Sequence, residues 1–242
     1  MTLKNVKLIH GDCLEKMKDI PDGSIDMVMA DPPYGTTACE WDSIIPLEPM
    51  WEHLKRVSKP NAAIVLMSAQ PFTTYLIASN QTMFKYCWLW VKSKFVNRLN
   101  AKIQPLKCTE NVVVFYAKQP AYNPQGLTLY AKKIARTGST SKNYGAVKCC
   151  EYIQKYTNYP SDLIVAQSVG DTLHPTQKPV ALMEYLIKTY TNEGETVLDF
   201  CMGVGTTGEA CQNLNRKFIG IEKEKKYFEL AWQLLRLNEM EF

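Results

Sequence analysis

The sequence predicts an α/β domain built on a mostly parallel sheet with helices on both faces, and three observations carry that prediction. Short apolar runs recur along the chain, separated by stretches with helical periodicity. Two of those runs end in an acid followed by an irregular loop: Asp31-Pro32-Pro33-Tyr34-Gly35 after residues 24–30, and Asp199 before Phe200-Cys201-Met202-Gly203-Val204-Gly205. Finally, 242 residues with 46% hydrophobic content can bury one full core, with room for a smaller lobe.

Residues 6–12 read as a strand ending at Gly11-Asp12, and residues 13–19 as an amphipathic helix. Pro21-Asp22-Gly23 then turns into the strand that carries Asp31. Asp12, with Cys13 beside it, faces the same side as Asp31 if the two strands run parallel; it suits equally a helix cap and a ligand contact. Leu47, Met50, Trp51, Leu54 and Val57 form one stripe, so residues 47–57 are expected as a core-facing helix. A buried strand at 62–67, a helix at 72–79 and strands at 86–91 and 111–116 follow. The segment 92–108 carries Lys92, Lys94, Arg98, Lys102 and Lys107 and is too polar for core; it falls on the side of the sheet where ligands bind.

Residues 117–172 change character. Gly, Ser, Thr, Asn and Tyr dominate, Lys132, Lys133, Arg136, Lys142 and Lys148 recur, and no period of 2 or 3.6 persists. So long a stretch without regular elements more often carries function, which makes it a recognition insert. After His174-Pro175-Thr176-Gln177-Lys178-Pro179 come a helix at 180–190, a strand at 196–199, the glycine loop, a helix at 206–214, a strand at 216–222 ending in Glu222, and a last helix at 223–238.

The two loops carry the chemistry. Consecutive prolines remove two backbone donors and stop strand or helix, so the carbonyls after Asp31 stay open to a donor. Asp31 adds a carboxylate and Tyr34 a flat face, a combination that suits a planar group bearing an exocyclic amine. On its own, Asp-Pro-Pro is also an ordinary loop breaker. Downstream, Gly203 and Gly205 allow close approach of the backbone to a ligand, and Glu222 stands about one βαβ step beyond, where an acid accepts from ribose hydroxyls. Strand, loop, helix, strand and acid together indicate a nucleoside cofactor. Gly208 completes Gly-x-Gly-x-x-Gly, so the loop alone admits a dinucleotide; the single helix after Glu222 leaves no second mononucleotide half there.

Charge points to the partner. Residues 85–155 hold 13 Lys/Arg against Glu110 and Glu151, while the rest of the chain holds 15 against 22 acids. Trp88, Trp90, Phe95, Tyr116, Tyr122, Tyr130, Tyr144 and Tyr152 interleave with that basic block, as on surfaces that neutralise phosphates and stack on bases. The eight cysteines include no CxxC pair and the three histidines are scattered, so no metal site is expected and the thiols read as mostly reduced and buried. With neither an apolar run near 18 residues nor a basic-then-apolar leader, no membrane partner and a cytoplasmic location are expected.

Taken together and in this order, Asp31-Pro32-Pro33-Tyr34, His174 to Pro179, and Val197-Leu198-Asp199 through Thr207 resemble the β-class amino-group DNA methyltransferases over nearly the whole chain. The resemblance implies a Rossmann-like methyltransferase fold with circularly permuted motif order. It divides the chain into a catalytic half at 1–116, a target-recognition insert at 117–172 and a cofactor half at 173–242. Implied too are S-adenosylmethionine as cofactor, double-stranded DNA as partner and N6-adenine as target; a homodimer is compatible with it, and a cognate restriction enzyme is left open. By the same resemblance, Asp31, Pro32 and Tyr34 are catalytic. Asp12, Cys13, Thr176, Lys178, Asp199, Gly203, Gly205 and Glu222 face the cofactor, with Thr176 and Lys178 at its methionyl end. Lys92, Lys94, Arg98, Lys102, Lys107, Lys132, Lys133 and Arg136 face DNA. The family usually has Asp-Pro-Phe where this chain has Asp199-Phe200-Cys201. Cytosine N4, RNA or protein amines, and a catalytically silent DNA-binding subunit are the alternatives.

Overall fold

The computed structural model describes residues 1–36, 39, 42–136, 138–141, 143, 145–147, 150–168 and 177–240. The chain forms two units, Met1–Asn123 with Asp162–Phe242, and Pro124–Ser161. In the first unit, β1 (Val6–His10) leads to α1 (Cys13–Lys16) and a 3-10 turn (Met17–Asp19), then β2 (Ile25–Ala30). The helix expected over 13–19 tightens after one turn. At its end the Arg56 guanidinium donates to the Met17 carbonyl at 2.6 Å, which also accepts from the Ile20 amide at 3.1 Å, and to the Ile20 carbonyl at 2.8 Å.

Next come α2 (Leu47–Val57), β3 (Ser58–Ser68), α3 (Phe72–Ser79), β4 (Phe84–Val96) and β5 (Lys107–Phe115). Both β4 and β5 outrun their apolar centres, because antiparallel pairing continues through Trp90 with Glu110, Val91 with Thr109 and Val96 with Lys107. Much of the polar segment 92–108 is therefore a hairpin, with its tip turned by a 3-10 segment at Arg98–Asn100.

The second unit corrects the expectation of an irregular insert. It holds β6 (Thr128–Arg136), β7 (Ser139–Ser141), β8 (Gly145–Val147) and β9 (Cys150–Thr157), with β6 pairing antiparallel to β9 and β7 to β8. Described side chains of β6 are exposed or half-buried on both faces, and the register shifts between Leu129 and Lys132. A strand without a buried face, interrupted by a bulge, has no period to read.

Back in the first unit are β10 (Leu163–Ala166), α4 (Val180–Tyr190), β11 (Thr196–Asp199), α5 (Thr206–Asn213), β12 (Lys217–Glu222) and α6 (Lys225–Met240). The eight-stranded sheet runs β1-β12-β11-β2-β3-β5-β4-β10, with only the β3–β5 and β5–β4 pairs antiparallel. Its central strands are apolar on both faces. In β2, Met27 and Met29 pack with Leu182, Leu186 and Ala231 of α4 and α6, whereas Val28 and Ala30 pack with Met50, Leu54 and Leu76 of α2 and α3. No described helix is long and apolar enough to cross a membrane.

Candidate active site

Parallel register puts the acids of four neighbouring strands along one edge of the sheet. His10 pairs with Glu222, Asp199 with Gly220, and Leu198 with Val28, so Asp12, Glu222, Asp199 and Asp31 follow one another at or just past the C-terminal ends of β1, β12, β11 and β2. This is the edge at which open α/β sheets bind ligands. All four line a cleft of about 1050 Å³, together with Tyr34, Glu110, Lys178 and Gly203. The proline loop and the glycine loop, far apart in sequence, thus meet.

The glycine loop is held by carboxylates. Asp199 accepts from the Cys201 amide at 3.1 Å and from the Thr207 hydroxyl at 2.7 Å; Glu222 accepts from the amides of Gly203 at 2.9 Å and Glu224 at 2.7 Å. Burial pushes the Asp199 carboxyl up to about 7 against those hydrogen bonds, with Asp31 and Glu222 adding to the rise. Burial raises Glu222 as well, opposed by its amide donors. Both glycines have positive φ, +55° at Gly203 and +89° at Gly205, but their surroundings differ. A Cβ at Gly203 would meet nothing within 4 Å, whereas one at Gly205 would come within 3.1 Å of Ala231 on α6. Gly205 therefore has a helix-packing reason of its own, beside the ligand contact expected of it. Gly208 does likewise, its missing Cβ leaving room for Phe218 and Leu235, so the third glycine needs no dinucleotide to explain it.

The proline loop is held by side chains. Asp31 accepts from the Tyr34 hydroxyl and from the Lys178 ammonium, both at 2.5 Å. Phe72 stacks on the Tyr34 ring, with centroids 5.5 Å apart and planes 22° from parallel, and the Lys178 ammonium stands 5.7 Å from the ring centre. Asp42 accepts from the amides of Gly35 and Thr36, 2.9 Å each, and fixes the exit of the loop. Lys178 also lies 3.4 Å from Glu110, whose other oxygen is taken by Lys92. Burial opposes the charge of Lys178, but the carboxylates of Asp31 and Glu110 outweigh it and hold its pKa above the ordinary lysine value. Desolvation, then the Asp31 charge, push the Tyr34 hydroxyl far up, so it acts as a donor.

Several other residues take positions that refine or correct the sequence reading. Asp12 caps α1 through the Leu14 amide at 2.9 Å and has Lys223 at 3.8 Å, while the buried Cys13 thiol is raised to about 12 by desolvation and by Asp12. Lys178, expected at the methionyl end of a cofactor, pairs with Asp31 instead, because its buried ammonium needs a carboxylate. Lys92, expected on phosphate, is paired with Glu110 in the cleft wall and sits over Trp90 at 5.2 Å. Lys94, Arg98, Lys102 and Lys107 are exposed on the β4–β5 hairpin. In the smaller unit Lys132 lies 5.0 Å over Tyr130, and Lys133 pairs with Glu151 at 2.6 Å, which compensates its charge. Arg136 ends β6. Thr176, Lys142, Lys148 and Tyr144 lie outside the described residues. Phe200 is buried in the core under the cleft and Cys201 lines the cleft. Among the described cysteines whose side chains are placed, Cys13 and Cys211 are buried, Cys87, Cys108 and Cys201 half-buried and Cys39 exposed, so the expectation of mostly buried thiols is not met by them.

Sequence reading missed Glu110, Asp42 and Phe72. Glu110 left a trace, being one of two acids in the basic block; Asp42 and Phe72 left none, since only the fold brings them to the loop.

Comparison with known proteins points to one family. The family model described as DNA methylase, covering N6 and N4 methyltransferases, matches residues 25–233. The type II methyltransferase M.BglII of Bacillus subtilis is 27% identical over 258 residues, spanning 95% of this chain and 68% of that protein. Among solved structures, M1.HpyAVI in complex with SAM superposes with a TM-score of 0.66 at 29% identity, covering 95% of this chain and all of the other. The cytosine-N4-specific PvuII DNA methyltransferase superposes with a TM-score of 0.70 at 17% identity, covering 96% of this chain and 86% of the other, a likeness of fold.

Proposed function

The chain belongs to the DNA methylase family, and on that premise we propose that it moves a methyl group from S-adenosylmethionine to the N6 amine of an adenine turned out of double-stranded DNA. The observation that carries the choice of an amine, and of adenine, is the Asp31 carboxylate beside the Pro32 carbonyl with the Tyr34 ring next to it. By resemblance, relatives acting on cytosine N4 more often have Ser in place of that Asp.

The cleft suits the donor. Space is open where a Cβ of Gly203 would stand, so a ligand can approach that backbone, and Glu222 lies at the next strand end with acceptor capacity beyond its two amide bonds. We assign Glu222 to the ribose hydroxyls, Asp12 and Cys13 to the adenine end, Gly203 to a close backbone contact, Thr176 to the methionyl end, and Asp199 to holding the loop. When bound, S-adenosylmethionine supplies a methyl on a positively charged sulfur.

The residues of this chain then solve one problem: an aromatic amine is a poor nucleophile because its lone pair is delocalised into the ring. Asp31 and the Pro32 carbonyl accept the two amine hydrogens, turn the nitrogen toward tetrahedral geometry and aim its lone pair at the methyl. The gain is positioning and electrostatics. Asp31 need not be a strong base, since the proton becomes acidic once the nitrogen is methylated. Flipping the base costs a few kcal/mol, offset in part by stacking on Tyr34. The exposed lysines and arginine of the β4–β5 hairpin are assigned to phosphates. Residues 1–116 and 173–242 supply catalysis and cofactor binding and residues 117–172, which include the smaller unit, target recognition.

Incubation with DNA and a labelled methyl donor, followed by nucleoside analysis, tests this. N6-methyladenine is the expected product. Label in N4-methylcytosine, in RNA or peptide, or nowhere would overturn the proposal.

A further inference from the structure

Asp31 is in use before any substrate arrives. Tyr34 donates to Oδ1 and Lys178 to Oδ2, so an incoming amine finds both oxygens already bonded. The Lys178 ammonium also stands over the ring on which a flipped base would stack. Each carboxylate oxygen keeps a second lone pair, but the ammonium crowds the Oδ2 side and overhangs the ring, so moving this one side chain opens both the acceptor and the face.

Its alternative place is built into the wall of the cleft. Glu110, on β5, has a side chain only 12% exposed. Its Oε1 is held by Lys92, while its Oε2 is buried without a hydrogen bond and lies 3.4 Å from Lys178 Nζ. A buried carboxylate oxygen with no donor is costly, so this one is an acceptor waiting for a donor. Since Nζ already lies 2.5 Å from Asp31 and 3.4 Å from Glu110, a shift of about an ångström, well within the rotamer freedom of a lysine, exchanges one carboxylate for the other. The ammonium is paired throughout.

We propose that Glu110 is a positioning residue that receives Lys178 when the target base enters, releasing Asp31 Oδ2 to the exocyclic amine and clearing the Tyr34 ring. Lys92 keeps Glu110 in place for the exchange. The hand-off rests on the reading that Asp31 accepts the target amine, and it holds for adenine or cytosine alike. Lys178, held charged by both acids, moves as a cation and no proton changes hands.

A double-mutant cycle tests it. Glu110→Gln keeps the shape of the side chain but makes a poor seat for an ammonium, so kcat should fall on the order of tenfold while KM for the methyl donor stays put. The fluorescence of 2-aminopurine at the target position should show a less populated flipped state. In a Lys178→Met background nothing has to be moved, so adding Glu110→Gln should change kcat by less than about twofold. Glu110→Asp, which keeps the charge and retreats by one methylene, should recover part of the loss, and it replaces Glu110→Gln in the cycle should the amide variant melt early. An unaltered kcat in Glu110→Gln, or the same loss with and without Lys178, overturns the hand-off alone. Activity retained by Asp31→Ala overturns the function reading, and the hand-off with it.

Discussion

The two halves of the cleft are held by different means. On the β11–β12 side, main-chain amides of Cys201, Gly203 and Glu224 donate to Asp199 and Glu222, and those amides cannot leave without distorting the loop itself. On the β2 side, Asp31 is held by the ends of side chains, the Lys178 ammonium and the Tyr34 hydroxyl. A backbone cradle suits a ligand that must find the same shape each time. A carboxylate held by long side chains suits a site that must change partners.

Asp31→Ala should separate the halves most sharply. Methyl transfer should drop by at least about 10²–10³-fold, the scale for removing a positioned electrostatic group, with donor affinity by calorimetry retained. Parallel loss of both would show that the halves are not separable. Gly203→Val is the converse experiment. A branched side chain at φ +55° puts bulk into open space that a ligand would use, so donor affinity should weaken about tenfold, ~1.4 kcal/mol, while DNA binding by anisotropy persists.

Smaller effects sharpen the contrast. Replacing Arg98, Lys102 and Lys107 by Ala together should weaken DNA binding uniformly across sequences and flatten the plot of log K against log salt by about 0.9 for each phosphate that is no longer neutralised. Asp199→Asn probes the backbone-held half by pH. The carboxyl ionises at about 7 in the fold against 3.8 ordinarily, so the fold binds that proton more tightly than the unfolded chain. The stability it contributes is complete below about pH 4 and is lost as pH rises through about 7. Wild-type melting temperature should therefore fall more steeply between pH 4 and 8 than that of Asp199→Asn, by a few degrees. Glu222, shifted the same way, leaves the variant part of the slope.

What could be read from the sequence follows the same division. The strands ending at Ala30, Asp199 and Glu222 were legible because they are buried on both faces and write themselves as apolar runs; the glycine loop was legible because positive φ selects its residue type. The partners of Asp31 were not. Lys178 lies 147 positions away in the chain, and nothing local to His174 to Pro179 says which carboxylate a buried lysine will find. Strands β6 and β9 escaped for another reason: few of their side chains are buried, so neither face imposes a pattern. Gly205 and Gly208 were recognised as special, but the close approach of α5 to α6 and β12, which also demands glycine there, is a packing matter that only the assembled layers reveal.

The pairing of β2 with β11 joins Val28 to Leu198, so a strand made early lies beside one made late. During synthesis the inner edge of β2 is left without its partner until most of the polypeptide has emerged, and such high contact order makes closure slow. The acids of the cleft are consequently brought side by side late: a half-made molecule carries Asp31 but not yet Asp199 or Glu222.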